Sequence, residues 1–191
     1  MVFSDLAGPG SRILLIGSGR HVTGSLLPDL PSVASTLTDL AEVLAGRCGM
    51  PAGQVTTVMD PANPIELANA IERAAEQAGD VFLLYYAGHG VLDAEGALHL
   101  ATQATIDLGR GRVGHQALAF ADVNDLLREH CQAARVVAVL DACHAGRAST
   151  PSAGSLHAAF ERAGQGSCLL AAASRDEHAL APVGAVPTRL H

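Results

Sequence analysis

Two short segments of this 191-residue sequence carry side chains that could do chemistry together. The apolar run FLLYYA ends in Gly88-His89-Gly90. The apolar run VVAVL ends in Asp141-Ala142-Cys143-His144-Ala145-Gly146. In an open parallel sheet, ligands gather beyond the carboxyl ends of the strands. If both runs are strands of one sheet, His89 and Cys143 face a common crevice. A free thiol titrates near ~8.5, so it needs a neighbouring imidazole to act as a thiolate at neutral pH. Glycines on both sides of His89 let a substrate come close to the backbone. The backbone N–H groups of Gly90 and Cys143 are placed to meet a developing oxyanion. His144 points to another side of its loop and is the weaker base candidate. A metal site built from His89, Cys143 and His144 is the competing reading of these residues.

Other reactive residue types have plainer readings. Cys48, Cys131 and Cys168 read as inert core thiols, in keeping with the burial preference of cysteine. His21, His99, His115, His130, His157, His178 and His191 read as structural or exposed. Gly17-Ser18-Gly19-Arg20-His21-Val22 begins like a dinucleotide fingerprint, but Val22 stands where the third glycine belongs and no helix opens at once. Asp141 at a strand end resembles a receiver phosphoacceptor, but all 12 basic residues are Arg and a receiver needs a lysine.

The elements that must position these residues follow from periodicity. Short runs rich in Val, Ile and Leu alternate with helical patterns. Strands are expected over Ile13–Ile16, Val55–Met59, Val81–Ala87, Arg135–Leu140 and Ser167–Ala173. A small hairpin is expected over Val91–Ala101, turning at Glu95-Gly96. Helices are expected over Pro31–Arg47 (capped by Ser32), Pro64–Gln77 and Ala121–His130. The second helix should bury Ile65, Leu67, Ala68, Ile71 and Ala75. Strands apolar on both faces and separated by helices indicate a parallel sheet covered on both sides. Gly17–Pro31 and Arg147–Ser155 read as loops, the latter small, polar and mobile: a plain surface loop, with self-processing after Arg147 as the competing reading.

Composition bounds the function. The net charge is −7, Trp is absent and aromatics make up 3%, which argues against nucleic-acid binding. No stretch approaches the ~20 apolar residues of a membrane span, and no secretory signal opens the chain. The expectation is a cytoplasmic protein without a membrane partner. The absence of lysine excludes P-loop, Schiff-base and pyridoxal phosphate chemistry. The four cysteines form no C-x-x-C pair, so a zinc ribbon is not expected.

YYAGHG, followed about fifty residues later by VVAVLDACHAG, resembles the caspase-like cysteine peptidases (peptidase C14 type), in particular their bacterial caspase-homologue and metacaspase branch. RILLIG and GSCLLAAASRDEHA are similar to that group's first and fifth strands, so the likeness runs from Ser11 to Pro182. It implies an α/β fold: a caspase-like three-layer sandwich with a mostly parallel central sheet. Residues 1–191 would be one peptidase domain, cut short before its last strand. The resemblance implies Cys143 as nucleophile, His89 as base, and Gly90 and Cys143 as the oxyanion hole. Asp141 would line the substrate pocket and favour Arg or Lys before the cleaved bond, with Asp176 as a second wall residue. The dyad sulfur and ring should lie within about 4–7 Å. No metal or organic cofactor is implied for the chemistry, although calcium activates some metacaspases. The substrate would be a protein or peptide. A sensor or regulatory domain or a partner protein would set the context, as in a bacterial signalling or defence system. The alternative is a noncatalytic caspase-like interaction module.

Overall fold

The structure, a computed structural model, describes residues 6–106, 113–144 and 166–171. Among the described residues, seven strands form one sheet: β1 (Arg12–Ser18), β2 (Val55–Met59), β3 (Val81–Leu92), β4 (Leu98–Ala101), β5 (Ala117–Ala119), β6 (Arg135–His144) and β7 (Ser167–Ala171). The α-helices among the described residues are α1 (Ser32–Gly46), α2 (Pro64–Glu76) and α3 (Phe120–His130). β3 lies at the centre. β1 and then β2 run parallel to it on one side, and β6 and then β7 run parallel to it on the other. Beyond the end of β1, β4 pairs antiparallel with the last part of β3, and β5 continues that small antiparallel wing.

Side chains alternate along a strand, so β3 divides its residues between two layers. Phe82, Leu84 and Tyr86 are fully buried in a cluster with Leu67, Ile71 and Ala75 of α2 and Val123 and Leu127 of α3. Leu83, Tyr85 and Ala87 belong to the other cluster, with Ile13 and Leu15 of β1 and Val33, Leu37 and Leu44 of α1. The result is an α/β sandwich of three layers with a mostly parallel sheet in the middle, as expected.

Several local expectations need correction. Ile65 is not inward but 72% exposed, while Leu67, Ile71 and Ala75 are buried. It sits in the first turn of α2, on the flank of the apolar stripe. Ser32 does not cap α1: Pro31 holds the cap position without a side-chain bond, and the Ser32 carbonyl instead accepts from the Ser35 and Thr36 hydroxyls. α2 is capped by Asn63, whose side chain accepts from the Glu66 N–H, while Glu66 reaches back to the Ala62 N–H. Cys48 and Cys168 are exposed and Cys131 is half-buried, so none is a fully enclosed core thiol. β3 and β6 run past their apolar stretches through His89 and Cys143, because each borrows backbone partners from the other. β5 is too short to show in the sequence pattern. The last two residues of the strand expected over Ser167–Ala173 and the loop Arg147–Ser155 lie outside the described residues.

Candidate active site

Parallel pairing of β3 with β6 sets the site. The ladder runs without a break from Val81 opposite Arg135 to Gly90 opposite His144, and it places the His89 backbone directly opposite that of Cys143. Neighbouring strands lie about 4.8 Å apart, and paired positions share one face of the sheet. Sequence reasoning expected two adjacent strand ends; here the pair lies within the ladder itself. Gly90 is paired on both sides, with His144 of β6 and Leu100 of β4. Gly88 has no room for a side chain: a Cβ there would lie 2.8 Å from the Tyr86 hydroxyl and 2.9 Å from the Ser18 carbonyl oxygen.

His89 is held from several directions. Its ring is buried, 7% exposed. Its Nε2 lies 2.8 Å from the Pro28 carbonyl oxygen. A carbonyl only accepts, so Nε2 carries the proton and Nδ1 is the basic nitrogen of the neutral ring. The Tyr86 hydroxyl lies 3.0 Å from the His89 carbonyl oxygen and 2.9 Å from that of Ala101, which fixes the backbone beneath the ring. Burial pushes the His89 pKa below the usual histidine range; the Pro28 carbonyl opposes this shift and a charge on His21 adds to it.

Pro28 and His21 both come from the irregular segment between β1 and α1. This segment is laid over the end of the β4 wing. Val22 N–H donates to Gln103, Leu26 N–H to Ile106, and the Ser25 hydroxyl to the Thr105 carbonyl. Its start is clamped by Asp60, whose Oδ1 accepts from the N–H groups of Gly19 at 2.8 Å and Arg20 at 2.9 Å. Asp60 holds a left-handed φ of 47°, a conformation that costs a non-glycine residue of order 1–3 kcal/mol.

Asp141 is exposed and accepts a 3.0 Å hydrogen bond from the Tyr85 hydroxyl on the neighbouring strand. Burial first, and then the Asp141 charge and hydrogen bond, push the Tyr85 pKa upward. Asp141 pairs with Ala87 two residues before the His89–Cys143 rung, so both rungs share a face of the sheet. Asp176 and the Cys143 side chain, and with it the expected sulfur-to-ring distance, lie outside the described residues. His21, Pro28, Tyr85 and Asp60 were not singled out from the sequence. A histidine in a glycine- and proline-rich segment leaving a strand's carboxyl end was the available signal for His21.

Among the described residues, one trio of potential metal ligands gathers: Glu72 and Glu76 of α2 with His130 at the end of α3. These helices cover the Phe82–Tyr86 face, opposite the one that His89 shares with Ala87. No described helix is long and apolar enough to cross a membrane.

The sequence from 19 to 182 matches the model of the caspase domain, peptidase family C14. The chain belongs to the caspase family. No curated protein matches it. Among solved structures, this caspase domain is similar to protein GSU0716 from Geobacter sulfurreducens, at 26% identity and a TM-score of 0.53. The match covers 73% of this chain and 52% of that one, so the caspase domain described here spans about half the length of that relative.

Proposed function

We propose that this caspase domain is a cysteine endopeptidase in which His89 is the base and Cys143 the nucleophile. The observation that carries the reading is the ladder rung that sets His89 opposite Cys143. Family membership supports the reaction class. The His89 Nδ1 takes the Cys143 proton, and the thiolate attacks the substrate carbonyl carbon. The resulting oxyanion is met by the N–H groups of Gly90 and Cys143. Collapse breaks the peptide C–N bond, and the amine leaves with the proton returned from His89. Water, deprotonated by His89, then hydrolyses the thioester and restores the thiol. The hydrogen bond to Pro28 leaves Nδ1 as the nitrogen that cycles the proton.

The residue before the cleaved bond is Arg or Lys in this reading. A cation entering a crevice loses water and needs a carboxylate in exchange. Asp141, exposed two residues before Cys143, offers one, and Asp176 is a second candidate. The domain would act on cytoplasmic proteins as the effector of a bacterial signalling or defence system, joined to a sensor domain or partner.

The test is incubation with an arginyl chloromethyl ketone followed by intact mass. One adduct on wild type and none on Cys143→Ala is expected. Hydrolysis of arginyl and lysyl fluorogenic peptides, lost in Cys143→Ala, should accompany it. No adduct and no hydrolysis would favour the noncatalytic module. Adding calcium or a chelator to the same assay reads whether calcium activates the enzyme.

A further inference from the structure

The base is not the only imidazole in its pocket. The His21 ring lies with its centroid 5.4 Å from that of His89, the two planes tilted by 39°. His21 Nδ1 is 3.1 Å from the Thr102 carbonyl oxygen, so Nδ1 carries the proton. Its Nε2 is buried and has no hydrogen-bond partner. A side chain kept only as a wall against His89 would not bury an unpaired nitrogen there, since an aromatic ring without one would pack as well. The histidine is also anchored through its backbone, its N–H donating to the Asp29 carboxylate.

We propose that His21 is a positioning residue that sets the protonation of His89, so that the two neighbouring rings together hold no more than one proton. This rests on the reading of His89 as the base. Two imidazoles at this distance cannot both become imidazolium without like-charge repulsion in a poorly solvated pocket. The pair therefore keeps His89 in its free-base form, ready to take the thiol proton, at pH values where a lone histidine would already be charged. Other ionisable groups lie on the surrounding elements. On the β1–α1 segment, Asp29 accepts from the His21 backbone, and the backbone of Arg20 is tied to Asp60. On β4, His99 lies against the Ala97 carbonyl and Asp93. On β3 and β6, Tyr85 and Asp141 bond to each other. Cys143 and His144 occupy the rungs opposite His89 and Gly90.

The experiment is an NMR titration of the imidazole resonances in the full chain, in wild type and in Cys143→Ala so that the thiol does not contribute. The His89 resonances should depart from a single uncoupled step. In His21→Phe, which keeps a ring, and His21→Gln, which keeps a donor for Thr102, the His89 midpoint should rise by roughly half a pH unit or more. The acid limb of the kcat/KM profile, read on an arginyl peptide, should move to higher pH with it. A merely structural role would lower activity without moving either midpoint. An unmoved His89 midpoint in a folded variant overturns the proposal. If neither variant folds, a single uncoupled step for His89 in wild type does the same. A protein that shows the coupling but cleaves no peptide would retain the His21 assignment and lose the peptidase reading.

Discussion

Burial shifts the titration of His89 and of both tyrosines. A histidine whose folded pKa lies below its unfolded value near ~6.5 binds protons more readily when the chain unfolds. Its contribution to stability is therefore full above about pH 6.5 and is lost as the pH falls from there through the lowered folded value. Urea unfolding between pH 8 and pH 5 should show stability declining with acid, and His89→Phe should flatten part of that slope. Tyr85 and Tyr86 have the opposite sign. Burial pushes both phenols above the ordinary value near ~10, so the unfolded chain loses their protons first and stability falls as pH rises past that value. The protein has two tyrosines in all, so the test is unambiguous. Absorbance near 295 nm should show no phenolate until the circular dichroism collapses. A smooth phenolate titration near pH 10 in the folded protein would contradict the buried hydroxyl of Tyr86.

At the scale of elements, α2 and β7 separate packing from mere hydrophobicity. Ile71→Ala should cost about 2–5 kcal/mol, because the side chain is fully enclosed between α2 and the sheet. Ile65→Ala, one and a half turns earlier, should stay within about 0.5 kcal/mol. Thermal melts of the two variants make the comparison. Cys168→Ala belongs with Ile65: the thiol is exposed, so its replacement should be close to neutral for both stability and peptide hydrolysis. The apolar runs made β2 and the starts of β3 and β6 legible in the sequence, and both motifs lay at the ends of such runs. The extension of β3 and β6 through Gly-His-Gly and Asp-Ala-Cys-His was not legible, because those residues have no strand pattern of their own. Their extended form comes from the partner strand. The inward expectation for Ile65 failed because periodicity assigns a stripe but not its edges. His21 was read as structural or exposed because its relation to His89 is made by a fold of the backbone, not by spacing.

At the scale of the molecule, the three-layer sandwich was legible because alternation of strands and helices leaves few other arrangements. Its branching was not. A sheet that continues from β1 to β3 and then turns into the β4–β5 wing uses β3 twice, and only the paired registers reveal this. The wing matters to the site because it receives the β1–α1 segment, which in turn supplies Pro28 and His21. A change far from His89, such as Asp60→Ala, removes the acceptor for two consecutive N–H groups at the start of that segment. It should lower kcat on peptide substrates more than it raises KM, while Asp60→Asn, which keeps an acceptor and tolerates the left-handed backbone, should restore most of the loss. Steady-state kinetics on the three proteins would decide.

The His89–Cys143 rung also has a cost in time. Its partners are about fifty residues apart in sequence, whereas Gly90 and Leu100, paired between β3 and β4, are ten apart. Closing the longer span costs about 1.5 kcal/mol more in chain entropy. Parallel pairing of this kind is among the slow events of folding. During refolding from denaturant, helical signal should therefore recover before the thiol becomes reactive toward the arginyl ketone. A newly made chain would then pass through compact forms in which the rung is not yet closed, a delay written into the topology.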